Sequence, residues 1–391
     1  MFVKSRVAQH VADLPKSGIR KFFDIVAQSK DIVSLGVGEP DFDTPWHISR
    51  AAMTCLENGG THYTSNLGTP QLRQAISRYL SRRFSADYDW TKEILVTVGV
   101  SEAIDLAIRA ICSPGDEVIY HEPCFVSYAP TIRLAHAVPV AVTTQVEEEF
   151  RLTVEALEEK VTPKTKAILL NFPCNPTGAT LSREDVKKIL EFAEKHDLII
   201  LADEVYMELA YGREDNSKPF DNSFSSFPEY KNRVILLNGF SKAWAMTGYR
   251  LGFAAGPEDI IDAMMKIHQY GIMSAPTLAQ AAGVEAMDQG DNDVQRMRRE
   301  YEKRRDFLVP ALNKMGLKTL MPKGAFYLFP DIRSTGMTSE EFALKLLKEF
   351  GVALVPGSAF GACGEGFVRI SYATSMEKLH VAAERIGNML R

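Results

Sequence analysis

Between residues 238 and 252 the chain reads NGFSKAWAMTGYRLG, which places Lys242 beside Ser241 among small residues and follows it eight positions later with Arg250. A lysine amine is at ease in water and unfavourable inside a protein. A buried one with a suppressed charge can act as a nucleophile or carry a proton. Three further polar groupings each follow an apolar run. Gly99-Val100-Ser101 ends EILVTVG and opens SEAIDLAIRAICS, and free N–H groups at such a helix start suit an anion such as phosphate. Asn175 lies in CNPTG after AILLNFP, and Asp203, with Tyr206 three residues on, follows DLIILA. Singly, each has a plainer explanation: an Asp after a strand caps a helix, NPTG makes a turn, a glycine before a helix is a weak phosphate signal, and a lysine can snorkel.

The elements that carry these groups change the weighing. EILVTVG (93–99), the run within PGDEVIYHEP, AILLNFP (167–173), DLIILADEVY (197–206) and RVILLNGFS (233–241) are β-branched or aliphatic runs of strand length. Between them lie amphipathic stretches of helical period, including LSREDVKKILEFAEKH with Ser182 as its N-cap and acids in its first turn. Strands alternating with helices predict an α/β fold with a mainly parallel sheet covered on both faces. Ligands bind such sheets beyond the carboxyl ends of the strands, so all four groupings are expected to meet at one edge. This block runs from 46 to 285 as a large domain. From 286 onward a long charged helix, AFYLFPDI, MTSEEFALKLLKEFG, VALVPG and GFVRISYA predict a smaller α+β domain, completed by residues 1–45 with their SGIRKFFDIVAQSK helix. A cleft between two domains is a preferred place for a small-molecule site.

Bulk composition narrows the partners. With 45 basic and 50 acidic residues among 391, a net charge of −5 argues against nucleic acid or an anionic membrane as partner. No run reaches the ~20 apolar residues of a membrane helix, and MFVKSRVAQHVADLPKSG does not read as a signal sequence, so a cytoplasmic protein is expected. Cysteines 55, 112, 124, 174 and 363 form no CxxC pair and are expected to be reduced thiols. The eight histidines show no HxH or HExxH spacing, so no metal is expected. No GxGxxG follows a strand, which disfavours a dehydrogenase.

GFSKAWAMTGYRLG, with the residues above, resembles the lysine signature of the class I/II aminotransferases, fold type I enzymes that use pyridoxal 5'-phosphate, and the similarity extends from SGIRKFFD to VRISYA. The resemblance implies that Lys242 bonds the cofactor's aldehyde and, once displaced by an amino acid, shuttles the Cα proton. It implies Asp203 at the pyridine nitrogen, Tyr206 and Asn175 at the ring's phenolic oxygen, and Phe125 of HEPCFVSY stacked on the ring. Arg250 and Ser241, with the N–H groups of Val100 and Ser101, would hold the phosphate, and Tyr63 of THYTSNLG would reach the neighbouring subunit's phosphate in a homodimer with shared sites. Arg369 of GFVRISYA would grip the substrate α-carboxylate, a bidentate task for which lysine is unsuited, helped by Gly38 of SLGVGEPDF and by Asn175.

By the same resemblance the substrates are amino acids and 2-oxo acids exchanged in a ping-pong cycle. Aspartate-specific members tend to carry a lysine where this chain has Ser101, and wording such as EPDFDTP and VPGSAFG resembles broad prokaryotic enzymes acting on aromatic or other neutral amino acids with 2-oxoglutarate as acceptor. Alanine, aspartate and N-acyl-diaminopimelate remain alternatives, as does a carbon–sulfur β-lyase on the same fold. A cofactor-binding regulatory module would need a DNA-binding appendage, and the segment before Gly38 is too short for one.

Overall fold

The computed structural model describes residues 6–14, 31–212 and 218–391; the predicted SGIRKFFDIVAQSK helix lies outside the described residues. A one-turn helix (Gln9–Ala12) precedes strand β1 (Val33–Ser34), and helices α1 (Trp46–Glu57) and α2 (Pro70–Phe84) follow. Strand β2 (Ile94–Thr97) runs into α3 (Gly99–Ile111), β3 (Glu117–Glu122) into α4 (Tyr128–Leu134), and β4 (Val138–Thr143) and β5 (Thr165–Asn171) follow. Helix α5 (Arg183–Lys195) leads to β6 (Ile199–Asp203), β7 (Val234–Gly239) and β8 (Gly252–Ala255), and α6 (Glu258–Gly271) and α7 (Thr277–Gln289) close this part. The remainder holds α8 (Asp291–Lys314), β9 (Tyr327–Leu328), α9 (Ser339–Phe350), β10 (Val352–Ala353), β11 (Val355–Pro356), β12 (Val368–Ser371) and α10 (Met376–Met389).

The central sheet has the order β2-β8-β7-β6-β5-β3-β4. Strands β4, β3, β5, β6 and β7 are mutually parallel, and β8 runs against both β7 and β2. Alternation along the strands feeds two buried faces. Leu95, Val118, Tyr120, Leu169, Leu201, Ile235 and Leu237 pack with α3 and α6 residues such as Ile104 and Met264 on one side. On the other, Ile119, Ile168, Leu170 and Ile200 meet Val186, Ile189 and Leu190 of α5. Ser182 starts α5 as predicted, in a reciprocal capping box with Asp185.

Two strands of this sheet have weak signals in the sequence. The β4 segment VPVAVT contains Pro139 and lies at an edge, where a missing N–H is tolerated. The β8 segment is GFAA, with no β-branched residue. Its Gly252 lies so close to the start of α3 that a Cβ there would come 2.6 Å from Gly99 C and Val100 N, so helix and sheet meet through bare backbone.

Beyond the main sheet, β11-β12-β9 form a small antiparallel sheet, and β1 pairs in parallel with β10. Val33 and Leu35 share a core with Leu346 and Val352, so residues just before the site pack with the C-terminal third. Phe326, Tyr327 and Tyr206 belong to that same core, which therefore extends to the end of β6.

Candidate active site

The carboxyl ends of β5, β6 and β7 and the start of α3 border one cavity of about 430 Å³. Gly38, Val100, Ser101, Phe125, Asn175, Asp203, Tyr206, Ser241, Lys242, Arg250 and Arg369 all line it. Tyr63 does not; its ring stands on the surface, 84% exposed.

Lys242 follows the end of β7 by three residues, and its Nζ donates to the Gly38 carbonyl at 2.7 Å. Burial pushes the amine down to about 8, helped by the guanidinium groups of Arg369 and Arg250 and opposed by Glu39 and Asp203. Asp203 ends β6. Its Oδ2 accepts from Tyr128 Oη at 2.7 Å and its Oδ1 from the Val205 N–H at 3.3 Å. Burial nonetheless lifts this carboxyl to about 6, since two hydrogen bonds and the distant amine offset only part of the lost hydration.

Arg369 is contributed by β12 and is 3% exposed. Its Nη1 donates to Asn175 Oδ1 at 3.0 Å and its Nη2 to the Gly36 carbonyl at 2.6 Å. Its plane lies against the rings of Tyr327 and Phe360, 4.7 and 4.8 Å from their centroids. The buried Nε has no partner among the described residues. A guanidinium held this deep with no carboxylate to balance it among the described residues makes a receptor for an anion. Asn175 is braced in turn, its N–H donating to Asn171 Oδ1 at 3.0 Å, which leaves its own Nδ2 hydrogens for a ligand.

At the other end, Gly99 takes φ +75° as it turns from β2 into α3. A Cβ at Gly99 would sit 2.9 Å from Arg250 Nη2, so the arginine closes over the bare turn. Arg250 has no ion-pair partner among the described residues, and Ser241 lies on the same wall. Arg250 Nη1 donates to the Thr247 carbonyl at 3.0 Å, and first-turn amides, a hydroxyl and a guanidinium with no carboxylate partner among the described residues fit a phosphate dianion. Asp203 suits a protonated pyridine nitrogen, and Lys242 an aldehyde. The residues therefore fit pyridoxal 5'-phosphate, with its phosphate toward α3 and Arg250 and its ring nitrogen toward Asp203.

Several lining residues were not singled out in the sequence. Tyr128, Asn171, Tyr327, Glu39, Thr247 and Ile104 all face the cavity. Asn171 had a readable signal, as the last residue of a buried strand at the ligand-binding edge. Tyr128 lies three residues after Phe125 in the turn into α4, where nothing local shows its bond to Asp203.

Comparison with known proteins gives the family. The family described as aminotransferase class I and II matches residues 30–386. A putative aminotransferase of Bacillus subtilis, YugH, is 50% identical over 99% of this chain and 98% of its own. An aspartate aminotransferase of Pyrococcus abyssi is 48% identical over 96% of both chains. The crystal structure of an aromatic aminotransferase from Pyrococcus horikoshii superposes with a TM-score of 0.88 at 45% identity, covering 95% of this chain and 98% of that one. The fold is that of the fold type I pyridoxal-phosphate enzymes, and the chain belongs to the class I and II aminotransferase family. It is a pyridoxal-phosphate-dependent aminotransferase.

Proposed function

We propose that the enzyme moves the α-amino group of aromatic and other neutral amino acids to a 2-oxo acid such as 2-oxoglutarate, in a ping-pong cycle through one site. Bound at this site, the cofactor supplies a ring that accepts the electrons left when the substrate loses its Cα proton. Lys242 Nζ removes that proton and returns it, a task suited to an amine held near 8. Asp203 keeps the pyridine nitrogen protonated. Arg369 and the Nδ2 of Asn175 hold the α-carboxylate, so the bond to be broken keeps one orientation in both halves of the cycle.

The observation that carries the substrate reading is the charge pattern of the lining. Among the described residues its cations are Lys242, Arg250 and Arg369, each accounted for by the amine, the phosphate and the α-carboxylate. Val37 and Ile104 are apolar members of the lining, and the exposed Glu39 carboxylate stands at its rim. Among the described residues a second substrate carboxylate finds no further cation there and meets Glu39 instead. The P. abyssi relative named for aspartate supports a second reading, in which a dicarboxylic amino acid is the donor.

A single-turnover screen separates them. Each amino acid is added alone to the cofactor-loaded enzyme and loss of the lysine-bound cofactor absorbance is followed. Phenylalanine, tyrosine or other neutral amino acids are expected to bleach it fastest; bleaching by aspartate and glutamate alone would establish the second reading.

A further inference from the structure

Tyr327 stands at the start of β9, fully buried, with its hydroxyl against one functional group and its ring against another. Its Oη lies 2.8 Å from Tyr206 Oη. Its ring carries the Arg369 guanidinium at 4.7 Å from the centroid. The hydroxyl also presses on the Gly36–Gly38 segment, since a Cβ on Gly38 would come within 2.7 Å of it.

The backbone that delivers Tyr327 is held firmly. Ala325 sits at φ +57°, a left-handed conformation unfavourable for alanine. Its carbonyl accepts from both the Tyr211 and the Tyr372 hydroxyls, and those two phenols lie 3.0 Å apart. Lys323 and Gly324 donate to the Gly178 carbonyl, which ties the same loop to the NPTG turn.

Two phenols share two hydrogens, and one is used between them. Burial raises both above the ordinary phenol range, so both stay neutral. Neither hydroxyl has another partner among the described residues, so the pair has a single O–H left for a ligand. Which oxygen presents it depends on the direction of the internal bond. An anionic acceptor beside Tyr206 requires Tyr327 to donate to Tyr206, and that donation strengthens the outward bond.

We propose that Tyr327 is a positioning residue that turns the Tyr206 hydroxyl hydrogen toward the cofactor's ring oxygen and, through its ring face, seats Arg369 for the substrate carboxylate. One side chain thereby supports both the cofactor and the carboxylate end of the cavity. The assignment rests on the reading of Lys242 and Tyr206 given above.

The test separates the hydroxyl from the ring. In the cofactor-loaded enzyme, the lysine-bound absorbance is titrated with pH, and 3-phenylpropanoate, a carboxylate without an amine, is titrated as a ligand. Tyr327→Phe keeps the ring and loses the hydroxyl. With less support for the anionic ring oxygen, the lysine nitrogen should keep its proton to higher pH, moving the midpoint up by about half a unit. Carboxylate affinity in this variant should stay within about twofold, because stacking on Arg369 persists. Tyr327→Leu should shift the midpoint similarly and also weaken the carboxylate by about tenfold. Asp203, Arg369, Arg250 and Glu39, the other charges acting on Lys242, are unchanged in all of these variants.

Tyr206→Phe should move the midpoint further, and adding Tyr327→Phe to it should produce no extra shift. A midpoint unmoved in Tyr327→Phe but moved in Tyr206→Phe would overturn the role of Tyr327 alone. A midpoint unmoved in Tyr206→Phe would remove the reading of Tyr206, and this inference with it. Retention of the absorbance in Lys242→Ala would do the same for Lys242.

Discussion

A lysine that must exchange a proton near neutrality needs surroundings that penalise its charge, and Lys242 has them in its burial and in the guanidinium groups of Arg369 and Arg250. The neutral amine is the form that captures the cofactor's aldehyde. Its fraction rises about tenfold per pH unit below about 8 and levels off above. Stopped-flow uptake of the cofactor by the apoprotein should follow that curve; a rate still climbing steeply to pH 10 would mean an amine with its ordinary basicity. Arg369→Leu should weaken every amino-acid and oxo-acid substrate alike, by roughly 2–3 kcal/mol in kcat/KM, since it removes a charge-assisted grip on their common group. An effect confined to one substrate would count against that role. At this scale much of the site was legible in the sequence: a lysine, an acid and an amide each end or follow a recognisable strand and Arg250 follows the lysine, whereas Arg369, inside β12, was named only by the family resemblance. Tyr128 and Tyr327 were not, because a phenol in an apolar segment reads as core, and the partners that give them work lie 75 and 121 residues away.

Helices and turns hold these groups through a few buried polar joints. The turn after β6 carries Tyr206 and is anchored two residues on, where Glu208 receives Arg83 Nε and Nη2, each at 2.8 Å, and Tyr79 Oη at 2.9 Å. Both partners of this pair are less than a tenth exposed. Arg83→Leu would leave a carboxylate buried without its counter-charge and should cost about 3–5 kcal/mol, read as a lower midpoint in urea unfolding. A loss below about 1 kcal/mol would mean that water or Arg298 takes over the carboxylate. The strands rich in valine, isoleucine and leucine declare themselves by composition. Strand β8 does not, because its Gly252 is dictated by the helix start seated on it, a contact that no local pattern encodes.

For the whole molecule, Glu204 makes stability depend on pH. It accepts from Ser223 Oγ at 2.6 Å and from the Phe224 N–H at 2.9 Å, yet burial still lifts it from 4.5 to about 8. Between those values the folded chain holds a proton that the unfolded chain has released. Stability should therefore fall as pH rises through this window, by up to about 1.4 kcal/mol per unit. Glu204→Gln should flatten that slope in urea titrations at successive pH values; an unchanged slope would mean that the carboxylate is ionised in the fold. Pairing of whole molecules is the other question at this scale. Tyr63, Trp46 and Tyr270 are 84%, 68% and 88% exposed, and we propose that a second copy covers them and receives Tyr63 at its phosphate. Mixed dimers of Tyr63→Ala and Lys242→Ala should regain up to about a quarter of the wild-type sites, since each hybrid assembles one intact site. No recovery on mixing would place Tyr63 outside its neighbour's site.

The seat for the phosphate is built largely from main-chain amides packed on Gly252, so it is insensitive to most drift in side-chain identity. Val37, 40% exposed at the cavity mouth, has no such constraint. An anchor of that kind beside a replaceable mouth makes the scaffold evolvable: libraries at Val37 can retune substrate preference while leaving cofactor retention intact.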